Sequence, residues 1–150
     1  MNESTIKIRL MKAEDFDAVV AIDGKVLQAS RPEYYEMKFE KLFNSKDYLP
    51  ASLVAEEEDG TVVGFVMGEL YMGEYGIFQE KATLDTIGVD PGCQHKGIGE
   101  RLINEFMDHL KKLGVQKVNT LVDWNDYKLI HFFSANKFSP SKTINLERSL

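Results

Sequence analysis

Gln94-His95-Lys96-Gly97-Ile98-Gly99 joins a strand pattern to a helix pattern, and it is the most informative stretch of this chain. Before it, residues 82–89 are apolar and rich in β-branched side chains, and Asp90-Pro91-Gly92 ends the strand, since proline cannot donate to a sheet ladder. After it, apolar residues recur every three or four positions from Ile98 to Leu113, which predicts a helix that Gly114 closes. A glycine loop that opens a helix after a strand directs backbone N–H groups at one point, which predicts a phosphate or pyrophosphate site.

Two common phosphate-binding loops do not match this stretch. A Walker-type loop needs Ser or Thr after Gly-Lys, whereas this chain has Lys96-Gly97-Ile98. A dinucleotide fingerprint needs a third glycine where Leu102 stands, and it usually opens a series of strand–helix units. The spacing Gln-x-x-Gly-x-Gly instead resembles the acetyl-CoA loop of the GNAT superfamily of N-acetyltransferases. The preceding Ile87-Gly88-Val89-Asp90-Pro91 resembles that family's fourth strand and its exit.

The resemblance covers nearly the whole chain, whose patterns follow the order β-α-α-β-β-β-α-β-α-β. Strands are predicted over residues 5–10, 52–57, 61–71, 82–89, 115–122 and 143–148, and helices over residues 13–27, 30–43, 98–113 and 125–136. The implied fold is α/β (α+β), a three-layer domain with a mixed, mostly antiparallel sheet of six to seven strands and about four flanking helices. Residues 1–150 are then a single N-acetyltransferase domain, although residues 138–143 leave little room for the family's penultimate strand.

Composition and charge agree with one globular domain. A chain of 150 residues that is 43% hydrophobic can bury a single core, and its net charge of −6 argues against a broad nucleic-acid surface and favours cationic partners such as amines. No apolar run reaches the roughly 20 residues that span a membrane, and residues 1–5 predict no secretory signal. The single Cys93 and the lack of a Cys/His cluster predict a reduced, cytoplasmic protein without a metal site.

The resemblance implies a set of residues that bind acetyl-CoA. In the family the fourth strand splays from the fifth and admits the pantetheine arm, which implies contacts with Ile87, Gly88 and Val89. The pyrophosphate is then expected on the loop and the first helical turn, at Gln94, His95, Lys96, Gly97, Ile98, Gly99 and Glu100. The family's later pattern Asn-x-x-Ala-x-x-x-Tyr-x-x-x-Gly-Phe, anchored on Phe138, puts Asp126 at its Asn and Phe133 at its Tyr. Both residues are therefore assigned to the cofactor site.

Amide formation needs an acceptor for the proton of the attacking amine, because an alkylammonium has a pKa of about 10. Asp85 is the first candidate, since strand alternation places it on the face of Ile87 and relatives use a glutamate at the matching position, often through water. The alternative is that Asp85 is an exposed strand residue or pairs with a lysine. Asp123, at the end of the fifth strand, is the second candidate base. Glu74 and Tyr75, in the loop before the fourth strand, are assigned to the substrate.

Two functions of different classes follow from these residues. The first is an acetyl-CoA-dependent N-acetyltransferase that acts on a primary amine, of a small molecule or of a protein N-terminus or lysine, by direct attack in a ternary complex. The second is a catalytically weak acyl-CoA-binding sensor, because Phe133 lacks the hydroxyl of a general acid. A general acid is typically worth about 10²–10⁴ in rate, so its loss slows an enzyme without silencing it. The expected partners are a small-molecule amine or peptide, with a homodimer as a candidate assembly and neither nucleic acid nor membrane.

Overall fold

Five strands and four α-helices make up the residues that the structure, a computed structural model, describes: 5–44, 51–70 and 81–150. The strands are β1 (Lys7–Leu10), β2 (Leu53–Glu56), β3 (Val62–Glu69), β4 (Lys81–Val89) and β5 (Lys117–Asn119). The helices are α1 (Phe16–Leu27), α2 (Pro32–Asn44), α3 (Ile98–Lys112) and α4 (Tyr127–Ala135). Short 3₁₀ turns at Ala13–Asp15 and Pro91–Cys93 precede α1 and α3. The chain divides into two compact units, Met1–Thr120 and Leu121–Leu150.

The strands of the first unit form one sheet in the order β1-β2-β3-β4-β5. Three neighbouring pairs, β1–β2, β2–β3 and β3–β4, are antiparallel, and β4–β5 is parallel. The parallel pair requires a crossover connection, which α3 provides. The predicted class, α/β with a mixed and mostly antiparallel sheet, is confirmed. Within the described ranges, no helix combines the length and the apolar character needed to cross a membrane.

Different helices cover the two faces of β3, which produces the predicted layers of helix, sheet and helix. On one face, Phe65 and Met67 belong to a buried cluster with side chains of α1 and α2, namely Val19, Ile22, Tyr35 and Phe39. On the other face, Gly64 and Gly68 lie against α3, where they approach Leu102 and Phe106. The apolar stripe predicted for α3 is correspondingly buried at Leu102, Ile103, Phe106 and Leu110. The sheet thus fixes α3, and with it the loop that precedes α3.

The strand count is lower than predicted: the described residues contain five strands rather than six or seven. The fifth strand, predicted over residues 115–122, spans only Lys117–Asn119, and residues 143–148 form no strand. Alternation of apolar residues, as at Ile144 and Leu146, does not make a strand unless the backbone groups find a ladder partner. Both side chains are exposed, and the preceding segment is too short to supply the penultimate strand as that partner.

Candidate active site

The C-terminal half of β4 presents a backbone edge that β5 does not pair. β5 pairs with β4 only at residues 81–83. On the opposite side of the strand, Asp90 N donates to Val63 O at 2.8 Å. Because residues of an antiparallel pair point their backbone groups alternately at the partner and away from it, the N–H and C=O of Ile87 and Val89 point away from β3. These groups lie along the edge where, among the described residues, the sheet does not continue.

The turn after β4 is tied to its surroundings by Asp90 and Gln94. Gln94 Nε2 donates to Val89 O at 3.1 Å and so holds the loop against the end of the β4 edge that β5 leaves unpaired, called here the open edge. Asp90 Oδ1 accepts from Gly92 N at 2.9 Å, and Oδ2 pairs with Lys25 Nζ of α1 at 2.9 Å. The hydrogen bond from Lys25, followed by that from Gly92, lowers the pKa of Asp90 below its ordinary value. The predicted strand exit is therefore an anchored turn.

The first turn of α3 directs backbone donors out of the helix beside this turn. Gly97 is the N-cap residue and has a φ of +79°, and His95 in the same loop has a φ of +66°. Arg101 N donates to Gly97 O at 3.0 Å, so the intrahelical bonds begin there and the N–H groups of residues 98–100 precede them. Gly97 has no side chain that could cap these donors. They lie at the positive end of the helix dipole, where a phosphate group is stabilised.

Asp85 occupies a β-bulge of β4. Residues 67 and 68 of β3 are consecutive, but their partners on β4 are Thr86 and Leu84, so Asp85 is one additional residue between them. A bulge interrupts the alternation of side chains across a strand. The predicted placement of Asp85 on the face of Ile87 is therefore wrong. Asp85 and Thr86 both turn towards α2, as their contacts show.

Lys38 of α2 binds two carboxylates at the bulge. Its Nζ lies 3.0 Å from Asp85 Oδ2 and 3.1 Å from Glu69 Oε1, and the side chains of Lys38 and Asp85 are 15% and 14% exposed. Burial raises the pKa of Asp85, and the hydrogen bond and charge of Lys38 offset this only in part. Burial alone would lower the pKa of Lys38, but the two carboxylates raise it. Asp85 is thus paired with a lysine, and it is a stronger base than an exposed aspartate.

A second group of polar contacts fixes α2 beside the cluster formed by Lys38, Asp85 and Glu69. Arg31 donates to both oxygens of Asp23, at 2.8 Å from Nε and at 3.0 Å from Nη2. Tyr35 Oη donates to Asp23 Oδ1 at 2.7 Å and lies 3.4 Å from Thr86 Oγ1 of β4. Burial raises the pKa of Tyr35 above its ordinary value, so its hydroxyl stays protonated. Tyr35 therefore joins α1, α2 and β4, one helical turn before Lys38.

Lys38 and Glu69 are not among the site residues predicted from the sequence. One signal was available for Lys38, which follows Tyr35 by three positions and therefore lies on the same buried side of α2. For Glu69, at the end of a strand, no local pattern distinguishes a site residue from a solvated carboxylate. Glu74 and Tyr75, the predicted substrate contacts, lie outside the described residues.

In the second unit, the residues assigned from the resemblance have contacts of their own. Asp126 is the N-cap of α4, and its Oδ1 accepts a first-turn backbone N–H at 3.1 Å. Phe133 is buried and packs edge-on against Phe132 and Phe138, with ring centroids 5.6 and 5.0 Å apart. The side chain of Asp123 is exposed, and its carbonyl oxygen accepts from Asp126 N. These contacts explain the residues within their unit, and the cofactor and catalytic roles stay predictions.

The sequence of this chain matches the model of a known protein family, and the fold and the unpaired edge of β4 agree with that match. The model of the acetyltransferase (GNAT) family matches residues 17–138. The chain therefore belongs to this family, which confirms the N-acetyltransferase class that the sequence predicted.

Two relatives illustrate the breadth of the family. A mycothiol acetyltransferase of Propionibacterium freudenreichii subsp. shermanii is 28% identical over 142 residues, which are 92% of this chain and 44% of that protein. The chain thus spans less than half the length of that relative. The putative phosphinothricin acetyltransferase YwnH of Bacillus subtilis is 24% identical over 138 residues, which are 88% of this chain and 83% of that protein.

Solved structures share the fold at low sequence identity. An aminoglycoside acetyltransferase from an uncultured soil metagenomic sample, in complex with trehalose, has a TM-score of 0.74 at 20% identity, over 99% of this chain and 98% of that chain. Aminoglycoside N-acetyltransferase AAC(6')-Iy in complex with CoA has a TM-score of 0.76 at 15% identity, over 96% and 94% of the two chains. At these identities the likeness shows the fold alone.

Proposed function

We propose that this chain transfers an acetyl group from acetyl-CoA to a primary amine by direct attack in a ternary complex. The observation that carries the proposal is the run of outward-facing backbone groups from Ile87 and Val89 on β4 to residues 98–100 of α3. The strand groups are suited to the amides of a pantetheine arm, and the helical N–H groups to a pyrophosphate. His95 and Lys96 are exposed beside the helix start and add donors there. The solved relative that contains CoA supports this ligand class.

The proposed reaction needs one proton acceptor. The nitrogen of the neutral amine attacks the thioester carbonyl carbon, the C–N bond forms, the C–S bond breaks, and CoA leaves as the thiolate. The proton that the amine loses passes to Asp85, which lies two residues before Ile87, through a water molecule. Its raised pKa fits this role, because a base is most effective when its pKa approaches the working pH. Asp123, in the second unit, is the second candidate base.

We further propose that residues 1–150 act as one acetyltransferase domain. The family match over residues 17–138 runs across both compact units, which supports this organisation. The cofactor-binding roles that the resemblance implies for Asp126 and Phe133 stay part of this proposal. The acceptor is the amine of a small molecule or of a peptide, and the named activities of the relatives support small-molecule amines.

A catalytically weak acyl-CoA-binding sensor is the second candidate function. Phe133 favours it, because this residue has no hydroxyl to protonate the departing thiolate and is packed between two other phenylalanine rings. A thiol with a pKa of about 8.5 nevertheless leaves tolerably as the thiolate, so the transferase is the better supported candidate.

A single-turnover experiment separates the two functions. Protein in excess over acetyl-CoA is mixed with a library of primary amines, and released thiol and acetylated amines are measured together. A transferase releases one thiol for each amide formed, whereas a sensor binds CoA in calorimetry and releases none. Asp85→Asn should lower kcat/KM by about 10²-fold, since it keeps the shape of the side chain and removes its basicity. Acetyl-CoA affinity should stay constant.

Asp108→Asn is the matched control, because Asp108 is exposed on α3 and should leave the rate unchanged. An unchanged rate for Asp85→Asn, on a substrate that the wild type acetylates, would transfer the role of base to Asp123 or to solvent.

A further inference from the structure

We infer that Lys38 is a positioning residue of the active site: it holds the carboxylate of Asp85 in place, and Glu69 in turn holds Lys38. The inference rests on the proposed function, in which Asp85 is the base. It adds two residues to the site that neither the sequence motif nor the family match assigns. Lys38 acts through Asp85 and does not itself touch the reacting atoms.

The geometry of α2 supports this role. Tyr35, one turn before Lys38, reaches Thr86 Oγ1 on β4 at 3.4 Å, so α2 is fixed against the residue next to Asp85. The side chain of Lys38 is only 15% exposed, and one ammonium group bridges Glu69 on β3 and Asp85 on β4. Its position is therefore determined from three elements at once. A flexible lysine held in this way fixes the direction of the carboxylate that it binds.

The bulge in β4 makes the bridge feasible. Without the extra residue, strict alternation would turn Asp85 to the side opposite Thr86, where α3 covers the sheet. With the bulge, Asp85 faces α2 beside the open edge of β4. An uncompensated carboxylate buried to this degree would be costly, and Lys38 supplies the charge that compensates it.

The charges around Asp85 act in opposite directions. Burial has the largest effect and destabilises the ionised form of Asp85. Lys38 and Lys41 on α2 stabilise that form, while Glu69 on β3 destabilises it. Tyr34 of α2 also faces the cluster, and Lys38 Nζ lies 5.5 Å from the centre of its ring. Loss of the Lys38 charge should therefore raise the pKa of Asp85, and loss of the Glu69 charge should lower it. If Lys38 and Glu69 served only packing, their substitution would not shift the pKa of Asp85 in opposite directions.

Carbon-13 NMR titration of the aspartate carboxyls measures these shifts directly, with Asp85→Asn to assign the signal. Lys38→Met should raise the pKa of Asp85 by about one unit or more, and Glu69→Gln should lower it. Lys38→Arg, which keeps the charge, should leave it near the wild-type value. At a pH below the raised pKa, kcat/KM of Lys38→Met should fall by about tenfold, with an unchanged KM for acetyl-CoA.

The possible failures are distinguishable. An Asp85 pKa that does not move in opposite directions in Lys38→Met and Glu69→Gln overturns the inference, whatever the activity. If Lys38→Met does not fold, Glu69→Gln alone tests the inference. A pKa of Asp85 that stays constant or rises in Glu69→Gln then overturns it. Expected NMR shifts without any acetyl transfer by the wild type would leave the electrostatic coupling standing and refute the proposed function instead.

Discussion

At the scale of single residues, Gly97 combines a backbone requirement with a chemical one. Its φ of +79° lies in the left-handed region, which a residue with a Cβ adopts only at a cost. It also lacks a side chain that could occupy the N–H groups of the first turn of α3. Both properties leave the helix start open to a ligand. His95, two residues earlier, has a φ of +66° although it is not a glycine.

Gly97→Glu should abolish CoA binding, because the new side chain strains the left-handed backbone and puts a carboxylate beside the pyrophosphate. Isothermal titration calorimetry with CoA measures the loss. Gly114→Glu is the matched control: Gly114 has a φ of +88° with no atom within 4 Å of an added Cβ, but it follows the opposite end of α3. It carries a similar backbone strain and should keep its CoA affinity. Undiminished binding by a folded Gly97→Glu protein would remove the loop from the cofactor site.

At the scale of secondary-structure elements, glycines of the sheet make room for large aromatic side chains that pack against it. A Cβ on Gly68 of β3 would lie 2.4 Å from Phe106 Cζ of α3 and 2.7 Å from Thr83 O. A Cβ on Gly88 of β4 would lie 2.8 Å from Phe65 Cε1. Packing therefore accounts for the glycine at position 88, and its contact with the cofactor stays a prediction. The position of α3, and of the N–H groups at its start, depends on this close contact with β3.

Gly68→Ala should destabilise the protein by about 1–3 kcal/mol, because either Phe106 or the strand must move to admit the methyl group. Gly24→Ala is the contrasting variant. Gly24 lies within α1, and the nearest atoms to an added Cβ are 3.9 Å away. The alanine should stabilise the fold by about 0.5–1 kcal/mol, since glycine in a helix loses more conformational freedom on folding. Urea unfolding followed by circular dichroism measures both, and equal stabilities would contradict the packing account.

At the scale of the first unit as a whole, Arg9 joins the start of the sheet to the start of the helical layer. Its guanidinium donates to both oxygens of Asp15 at 2.9 Å and to Glu56 Oε2 at 3.0 Å. Asp15 is 6% exposed and also accepts from Lys12 N at 2.7 Å. Burial alone would raise the pKa of Asp15, but the hydrogen bonds and charge of Arg9, with the Lys12 N–H, lower it. Asp15 is therefore ionised and bound in the folded state.

Asp15→Asn should destabilise the protein at pH 7, and the difference from the wild type should close in acid. Because the folded-state pKa of Asp15 lies below its unfolded value of about 3.9, its stabilisation is fully present above that value and is lost as pH falls through the folded pKa. Free energies of unfolding from urea titrations between pH 7 and pH 3 test this. For Asp108→Asn, the difference in free energy of unfolding from the wild type should not change with pH. A constant deficit for Asp15→Asn across this range would contradict the linkage.

Features that depend on residues close together in the chain could be predicted from the amino-acid sequence. The spacing of Leu102, Phe106 and Leu110 predicted α3, and Pro91 and Gly97 predicted the strand exit and the helix start. These signals are local, because a helix bonds residues four apart and a turn needs particular residues at particular positions. The family resemblance, which rests on the same loop, correctly predicted the class of protein and the layered fold.

Which side chains meet across the sheet could not be predicted from local sequence patterns. Lys38 and Asp85 are 47 residues apart in the chain, and the bulge that brings them together depends on the register of two strands. The shortness of β5 and the absence of a strand at residues 143–148 have the same origin. A strand or a buried carboxylate is completed by a partner in space, and a local pattern carries no information about that partner. The environment of the proposed base could therefore be found only from the structure, whereas the loop of the proposed cofactor site could be predicted from the sequence.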